Sequence, residues 1–355
     1  MQPKNRLNED ETKVNANIDR VRSRGFRLRD DHITLSHGAG GKASAALTTH
    51  VFQEAFGNPE GDGALASLGS GRVAMSTDSY VVNPIFFPGG SIGDLAVNGT
   101  VNDLAMMGAT HPVITASFIL EEGLDIDTLS KVVADMKQAA DTAGIQIIAG
   151  DTKVVPKGKA DQLYITTAGC GATDLTLSYG EVSPGDVVLC SGPIADHGMA
   201  VMMARGDLAI SAPIESDTRA LNGAVEKLTA AAHVRFMRDA TRGGVATVLN
   251  ELARGSGFGL VLDDDSIPVR DMTRAACDML GIDPLYVANE GTFLAVIDPA
   301  DEDAALDALR ASGFEAATRI GEVAEEPAGS VVLVTGFGGT RMVDMLVGDP
   351  LPRIC

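Results

Sequence analysis

Tryptophan is absent, and aromatic residues make up only 4% of the 355-residue chain. Hydrophobic content is still 45%, so the cores must be built from Ala, Val, Ile, Leu and Met. No apolar run approaches the roughly 20 residues that a membrane-spanning helix needs. The first 30 residues lack the apolar stretch of a secretory signal. Cysteine is scarce: Cys170, Cys190, Cys277 and Cys355 stand far apart with no CxxC spacing. That excludes a disulfide framework and a structural zinc site, and fits a reducing cytoplasm. The Walker phosphate loop GxxxxGK[ST] is missing. So are a Ser-His-Asp context and a histidine pair at metal-ligand spacing, and His197 and His233 read as structural or exposed. A net charge of −20 argues against nucleic acid and anionic membrane as partners.

What is present begins with glycine, at 40 residues, which implies many places where backbone lies close to something. Charge is uneven: residues 1–30 carry a net +3 and the remainder −23. The segment 1–31 reads as a disordered or surface-draped extension. The length fits two domains. Strand-like runs (73–78, 113–120, 145–149, 162–169, 187–191, 260–262, 292–297, 331–335) interleave with helical spacing at 92–109, 128–142, 197–203, 221–232, 245–254 and 304–312. The alternation is not strict, so the fold class expected is α+β, two mixed domains rather than a doubly wound sheet.

Five groups of residues carry chemistry. His37-Gly38-Ala39-Gly40-Gly41-Lys42 brings three glycines and a cation to an anion, with a plain loop as the competing reading. Asp78, Asp94, Asp103 and Asp151 follow or sit within apolar segments. Hard oxygen ligands brought together suit Mg²⁺, which bridges phosphates. Asn98 and Asn102 share the Asp103 helix, whose Gly and Ala neighbours let something pack close. Gly150-Asp151-Thr152-Lys153 puts a lysine two residues past an acid. Ala288-Asn289-Glu290-Gly291 sets an acid at the mouth of a strand, a place for a general base or for a turn residue. Met237 to Val245 ends in Gly243-Gly244 at a helix start, suited to an anion or to close packing. Asp349-Pro350-Leu351-Pro352 resists helix and strand and leads to Cys355, a thiol on a semi-stiff arm or a frayed end.

Together these segments resemble the HypE family of hydrogenase maturation factors, in the aminoimidazole-ribonucleotide-synthetase-like superfamily. The resemblance rests on His37–Lys42, Thr77-Asp78-Ser79, Phe86–Gly90, Leu95–Asp103, Gly150–Lys153, Met237–Val245, Ala288–Gly291 and Pro352-Arg353-Ile354-Cys355, and covers residues 32–355. It implies ATP-dependent dehydration of a carbamoyl group on Cys355 to a thiocyanate, the source of cyanide ligands for [NiFe]-hydrogenase iron. It implies ATP and Mg²⁺ as cofactors, the carbamoyltransferase HypF as donor and a HypC–HypD complex as acceptor. It implies a nucleotide-binding and dimerisation domain at 32–180, a second domain at 181–340, a mobile tail at 341–355 and a homodimer. On the same footing His37, Gly38, Gly40, Gly41, Lys42, Asn98 and Asn102 would bind the nucleotide. Asp78, Asp94, Asp103 and Asp151 would hold the metal, while Lys153 and Glu290 would serve the carbamoyl oxygen and nitrogen. A selenophosphate synthetase or thiamine-phosphate kinase is the nearest rival within the superfamily, and a non-catalytic carrier is the rival outside it.

Overall fold

The computed structural model describes Arg27, His32 and residues 34–38, 41–53, 64–68, 71–206 and 212–346. Apart from Arg27, the expected extension over 1–31 lies outside the described residues, as do Gly40 and Cys355.

The first half runs α1 (Lys42–Leu47), β1 (Ala64–Leu68), β2 (Gly71–Tyr80), β3 (Phe86–Phe87), β4 (Gly90–Ser91) and α2 (Ile92–Met106). It continues through β5 (Thr110–Glu121), α3 (Ile126–Ala143), β6 (Gln146–Val155) and β7 (Leu163–Ala172). Five of these strands form one sheet in the order β1-β2-β7-β5-β6. Only β5 and β6 are parallel, and α3 supplies the crossover that a parallel pair requires.

α2 lies on the inner face of this sheet and is buried on nearly every side. Ser91 starts it: its Oγ accepts the amides of Gly93 (3.1 Å) and Asp94 (3.4 Å), satisfying donors that a helix leaves unpaired. Ile92, Leu95, Val101 and Leu104 have no exposed surface, and burial of each such side chain favours the fold by about 1.5–3 kcal/mol. α3 packs over α2 through Val132, Met136 and Ala140 and ends at Gly144 in left-handed conformation (φ 68°).

The second half contains β8 (Val187–Cys190), α4 (Asp196–Ala204), α5 (Asn222–Ala231), β9 (Val234–Asp239), α6 (Gly244–Ser256) and β10 (Gly259–Asp263). After these come α7 (Asp271–Leu280), β11 (Phe293–Ile297), α8 (Glu302–Arg310), β12 (Thr318–Ala324), β13 (Val331–Val334) and β14 (Thr340–Val343). Seven strands form the second sheet, ordered β14-β13-β10-β12-β8-β11-β9. One face buries Val188, Leu294 and Leu262 against Val245, Leu249 and Leu252 of α6. The other buries Leu189, Phe293 and Ala295 against α5 and α8, and here Ala105 and Met106 of α2 enter the same core. Both sheets are mixed with helices packed on them, as an α+β fold requires.

Several elements depart from the sequence reading. β6 does not stop at Ala149; it runs on through Gly150-Asp151-Thr152-Lys153, because each of these residues pairs with β5. β9, β12 and α7 are additional elements. In β9, Arg235 obscures the strand pattern but is paired, with Asp186 (3.0 Å) and Asp298 (2.9 Å). β14 falls at the start of the stretch expected as a mobile tail, and residues 341–343 of that stretch are ladder residues opposite β13. Residues 347–355 of the expected tail lie outside the described residues.

Candidate active site

The turn into β11 carries the strongest chemistry. Asn289 is fully buried and fixes this turn from both ends of its amide. Its Oδ1 accepts the amide of Ala195 (2.7 Å), and its Nδ2 donates to the carbonyls of Ala240 (2.7 Å) and Val287 (3.2 Å). Glu290 is 4% exposed. Burial pushes its carboxyl up to about 8, the nearby charges of Asp217 and Asp78 push the same way, and Arg242 opposes them. A carboxyl poised there can take or give a proton near neutral pH.

The partner that organises this turn is Asp217, on the 212–221 connection between α4 and α5. One carboxylate oxygen accepts the Glu290 amide (3.0 Å). The other accepts the Gly291 amide (3.0 Å) and the Thr292 hydroxyl (3.1 Å). Burial raises the Asp217 carboxyl, and those three donors together with Arg219 oppose the rise. Burial thus raises both carboxyls; at Asp217 three donors and Arg219 oppose the rise, whereas at Glu290 the charges of Asp217 and Asp78 add to it.

β2 faces the same place from the first half. Ser76, Asp78 and Tyr80 alternate onto the α2 side of the sheet. Tyr80 donates to Asp78 (3.2 Å), and Ser76 donates to Asp103 on α2 (2.5 Å). Burial raises the Tyr80 phenol, followed by the charges of Asp78, Glu290 and Asp103. Three of the expected site residues therefore converge on one tyrosine. Gly99 makes this possible, since a Cβ there would lie 2.0 Å from the Tyr80 hydroxyl.

The other expected residues lie elsewhere. Asp94 is nine positions from Asp103 on α2, about 13 Å of rise and half a turn out of phase. It accepts the Ser91 hydroxyl (3.0 Å) at the helix start, and burial raises its carboxyl. Asp94 and Asp103 cannot share one ion. Asp151 and Lys153 form an exposed ion pair (2.5 Å) on edge strand β6, and Lys153 holds the Asp151 carboxyl below its ordinary value. Their register with Ser117 and Ile119 of β5 turns both away from α2, so within one chain Lys153 does not meet Glu290. Among the described residues no group of three or more His, Cys, Asp or Glu side chains could by itself hold a metal ion.

Asn102 is committed to the protein itself. Its Nδ2 donates to the carbonyls of Arg219 (3.0 Å) and Glu290 (3.4 Å), and its Oδ1 accepts the Leu221 amide (2.8 Å). Asn98 donates to Thr218 (3.2 Å). Both asparagines brace the 212–221 connection against α2. His37 is buried, with its Nδ1 beside the Thr34 amide (3.0 Å), and Gly38 closes the short turn Leu35–Gly38. Lys42 binds Asp344 (2.9 Å) and donates its amide to Leu346 (3.0 Å). Gly41 lets the Leu346 carbonyl approach to 2.8 Å of where a Cβ would be. In the described contacts this loop grips the chain just after β14.

Sequence reasoning missed Tyr80, Asp217 and Arg219. The connection holding Asp217 has no period, and its only signal is an acid between Ser216 and Thr218 in a polar stretch. Through Ser216, Asp217 and Arg219 it lines a cleft of about 340 Å³ together with Asp196, Arg270 and Thr292. His197 is buried, bonded to Ser216 (2.8 Å) and edge-on to Phe87.

A two-half fold with its acids at the junction defines a class. Residues 60–173 match the N-terminal domain, and residues 183–334 the C-terminal domain, of AIR synthase related proteins. Within that class, the carbamoyl dehydratase HypE of Rhizobium leguminosarum bv. viciae is 48% identical over 342 residues, 94% of this chain and 97% of that protein. A solved HypE–HypF complex superposes with a TM-score of 0.79 at 43% identity, covering 85% of this chain and 100% of that one. A hydrogenase maturation protein HypE in complex with ATP gives 0.77 at 45% identity, covering 91% and 100%. The chain belongs to the HypE carbamoyl dehydratase family of hydrogenase maturation.

Proposed function

We propose that this chain uses ATP to convert a carbamoyl group on the Cys355 thiol into a thiocyanate, supplying cyanide ligands for [NiFe]-hydrogenase iron. The observation that carries this reading is the buried Glu290 carboxyl, held up to about 8 between Asp217 and Asp78 at the junction of the halves. An amide oxygen leaves poorly, so the reaction transfers the γ-phosphoryl group of ATP to it. Phosphate then departs with that oxygen, the carbon–nitrogen bond order rises to three, and the nitrogen loses two protons overall. Glu290 is the base suited to the nitrogen, and Lys153 would balance charge at the oxygen.

Asp78 and Asp103 fit Mg²⁺, which takes one or two carboxylates besides phosphate oxygens. When bound, the ion would neutralise charge on the transferring phosphoryl group. Asp151 and Lys153 face outward with Thr115, Ser117 and Ile119 of β5, and could join the site only where a second copy covers that sheet face. Met75, Ile119 and Ile148 are exposed large apolar residues of the same sheet. This supports a homodimer joined through the first sheet, with the nucleotide near the interface. Asp103→Asn should weaken Mg-ATP binding at every protein concentration, whereas Asp151→Asn should weaken it only in the dimer. Calorimetry across the dimer–monomer range separates the two.

HypF is the expected carbamoyl donor and a HypC–HypD complex the expected acceptor, with residues 32–180 and 181–340 as the two working domains and the cytoplasm as the compartment. The test of the whole reading is Cys355→Ala with a carbamoyl donor and ATP. Mass spectrometry of the native chain should show the Cys355 carbamoyl adduct losing one water, about 18 Da, on adding ATP. The variant should show no adduct. A cyano adduct in the variant would place the chemistry on another residue.

A further inference from the structure

We infer that Asp217 is a positioning residue for the dehydration step, setting both where the Glu290 carboxyl stands and when it gives up its proton. This rests on the reading of Glu290 as the base.

The geometry is specific. Three consecutive residues, Glu290, Gly291 and Thr292, each give one donor to the same carboxylate, at 3.0, 3.0 and 3.1 Å. Three donors on two oxygens leave the carboxylate little freedom, and they leave the turn little freedom in return. The contact is also close at the backbone: a Cβ on Gly291 would lie 1.8 Å from the Asp217 carbonyl oxygen. Arg219, two residues on, closes the other side by donating Nε to the Gly291 carbonyl (3.2 Å). Asn102 joins the two strands of this contact from α2 by donating to the carbonyls of Arg219 and Glu290. The connection is thus a strap laid across the base of Glu290 and fixed to the first half.

Charge follows from the same placement. The groups acting on Glu290 are Asp217 from the strap, Asp78 and Tyr80 from β2, and Arg242 from the turn after β9. Among the negative ones Asp217 exerts the larger pull, ahead of Asp78. An ionised neighbour in a buried site disfavours a second negative charge. Removing the Asp217 charge should therefore make Glu290 release its proton at lower pH.

The experiment follows conversion of carbamoyl to cyano on the full-length chain after loading, as a function of pH. Asp217→Asn should slow the step at least about 10-fold, because the base is no longer held in place. It should also move the midpoint of the rising limb to lower pH by about one unit or more. Mg-ATP affinity should stay within about twofold. In a Glu290→Gln background Asp217→Asn should cost at most about another twofold, since both changes remove one function. Thr292→Val is the milder probe. It deletes one of the three donors, a hydroxyl also shared with the Pro193 carbonyl (3.1 Å), and should slow the step several-fold, again with no further cost beside Glu290→Gln. Independent, multiplying losses in the two backgrounds, or an unshifted midpoint in Asp217→Asn, would overturn the inference. If Glu290→Gln itself runs at the native rate, the reading of the base fails instead, and the two failures are distinct.

Discussion

Glu290→Gln should slow carbamoyl dehydration about 10²-fold or more, and should make the protein more stable in alkaline solution. The first effect follows from the usual worth of a positioned base, about 10²–10⁴-fold. Glutamine keeps the size and most of the hydrogen bonding, so ATP should bind and the carbamoyl adduct should accumulate on Cys355. The second effect follows from proton linkage. The folded carboxyl titrates at about 8, against an ordinary value of 4.5. Below about 4.5 both folded and unfolded chains carry the proton, and this group contributes no pH dependence. Between the two values the unfolded chain has released it and the folded chain has not, so stability falls as pH rises and levels off above about 8. The loss is of the order of a few kcal/mol for a fully buried group. Glutamine has no such loss. Melting temperatures of the two proteins at pH 5 and pH 9 should therefore diverge, with the variant gaining at pH 9. A native dehydration rate would make Glu290 a turn residue, and parallel melting at both pH values would mean that its proton is not held in the fold.

This variant also shows why only part of the site was legible in the sequence. Glu290 could be found because an acid against a glycine at the mouth of an apolar strand is a local pattern. α2 and α3 could be found because their apolar spacing is local too. Asp217 could not, since its importance lies in three donors more than 70 positions away. The asparagines of α2 were legible as lying on a helix that something packs against closely, but not as braces, because their partners come from the 212–221 connection of the other half. The separation of Asp94 from Asp103 was legible in principle, from helical rise alone. The side taken by Asp151 and Lys153 was not, because β6 carries a shift of register with β5 between Ile114 and Thr115. One residue of slip exchanges the faces of every residue that follows.

Among the described glycines Gly291 has the closest approach to its missing Cβ, and Gly291→Ala should be strongly damaging. The backbone at Gly291 is not in the left-handed region, so conformational freedom is not what glycine provides there. It provides space: the added methyl would stand 1.8 Å from the carbonyl oxygen of Asp217, where real contacts do not fall below 3.0 Å. Neither partner is a flexible side-chain end. Relief requires the strap or the turn to move by about an ångström, which strains both Asp217 bonds to the turn amides and the Arg219 bond to Gly291. A displacement of that size at a reacting group costs about 10²-fold in rate. Overpacking of a buried site typically costs about 1–3 kcal/mol in stability and occasionally more. Gly257→Ala is the control. Gly257 is left-handed (φ 78°) and ends α6 with nothing within 4 Å of its missing Cβ, so alanine there strains only the backbone. That should cost about 1 kcal/mol with no change in dehydration rate. Gly291→Ala should lose both stability and rate, with Mg-ATP affinity much less affected because Asp78 and Asp103 lie on β2 and α2. Native turnover in Gly291→Ala would show that the turn can move without disturbing the base, and the strap would then be packing alone.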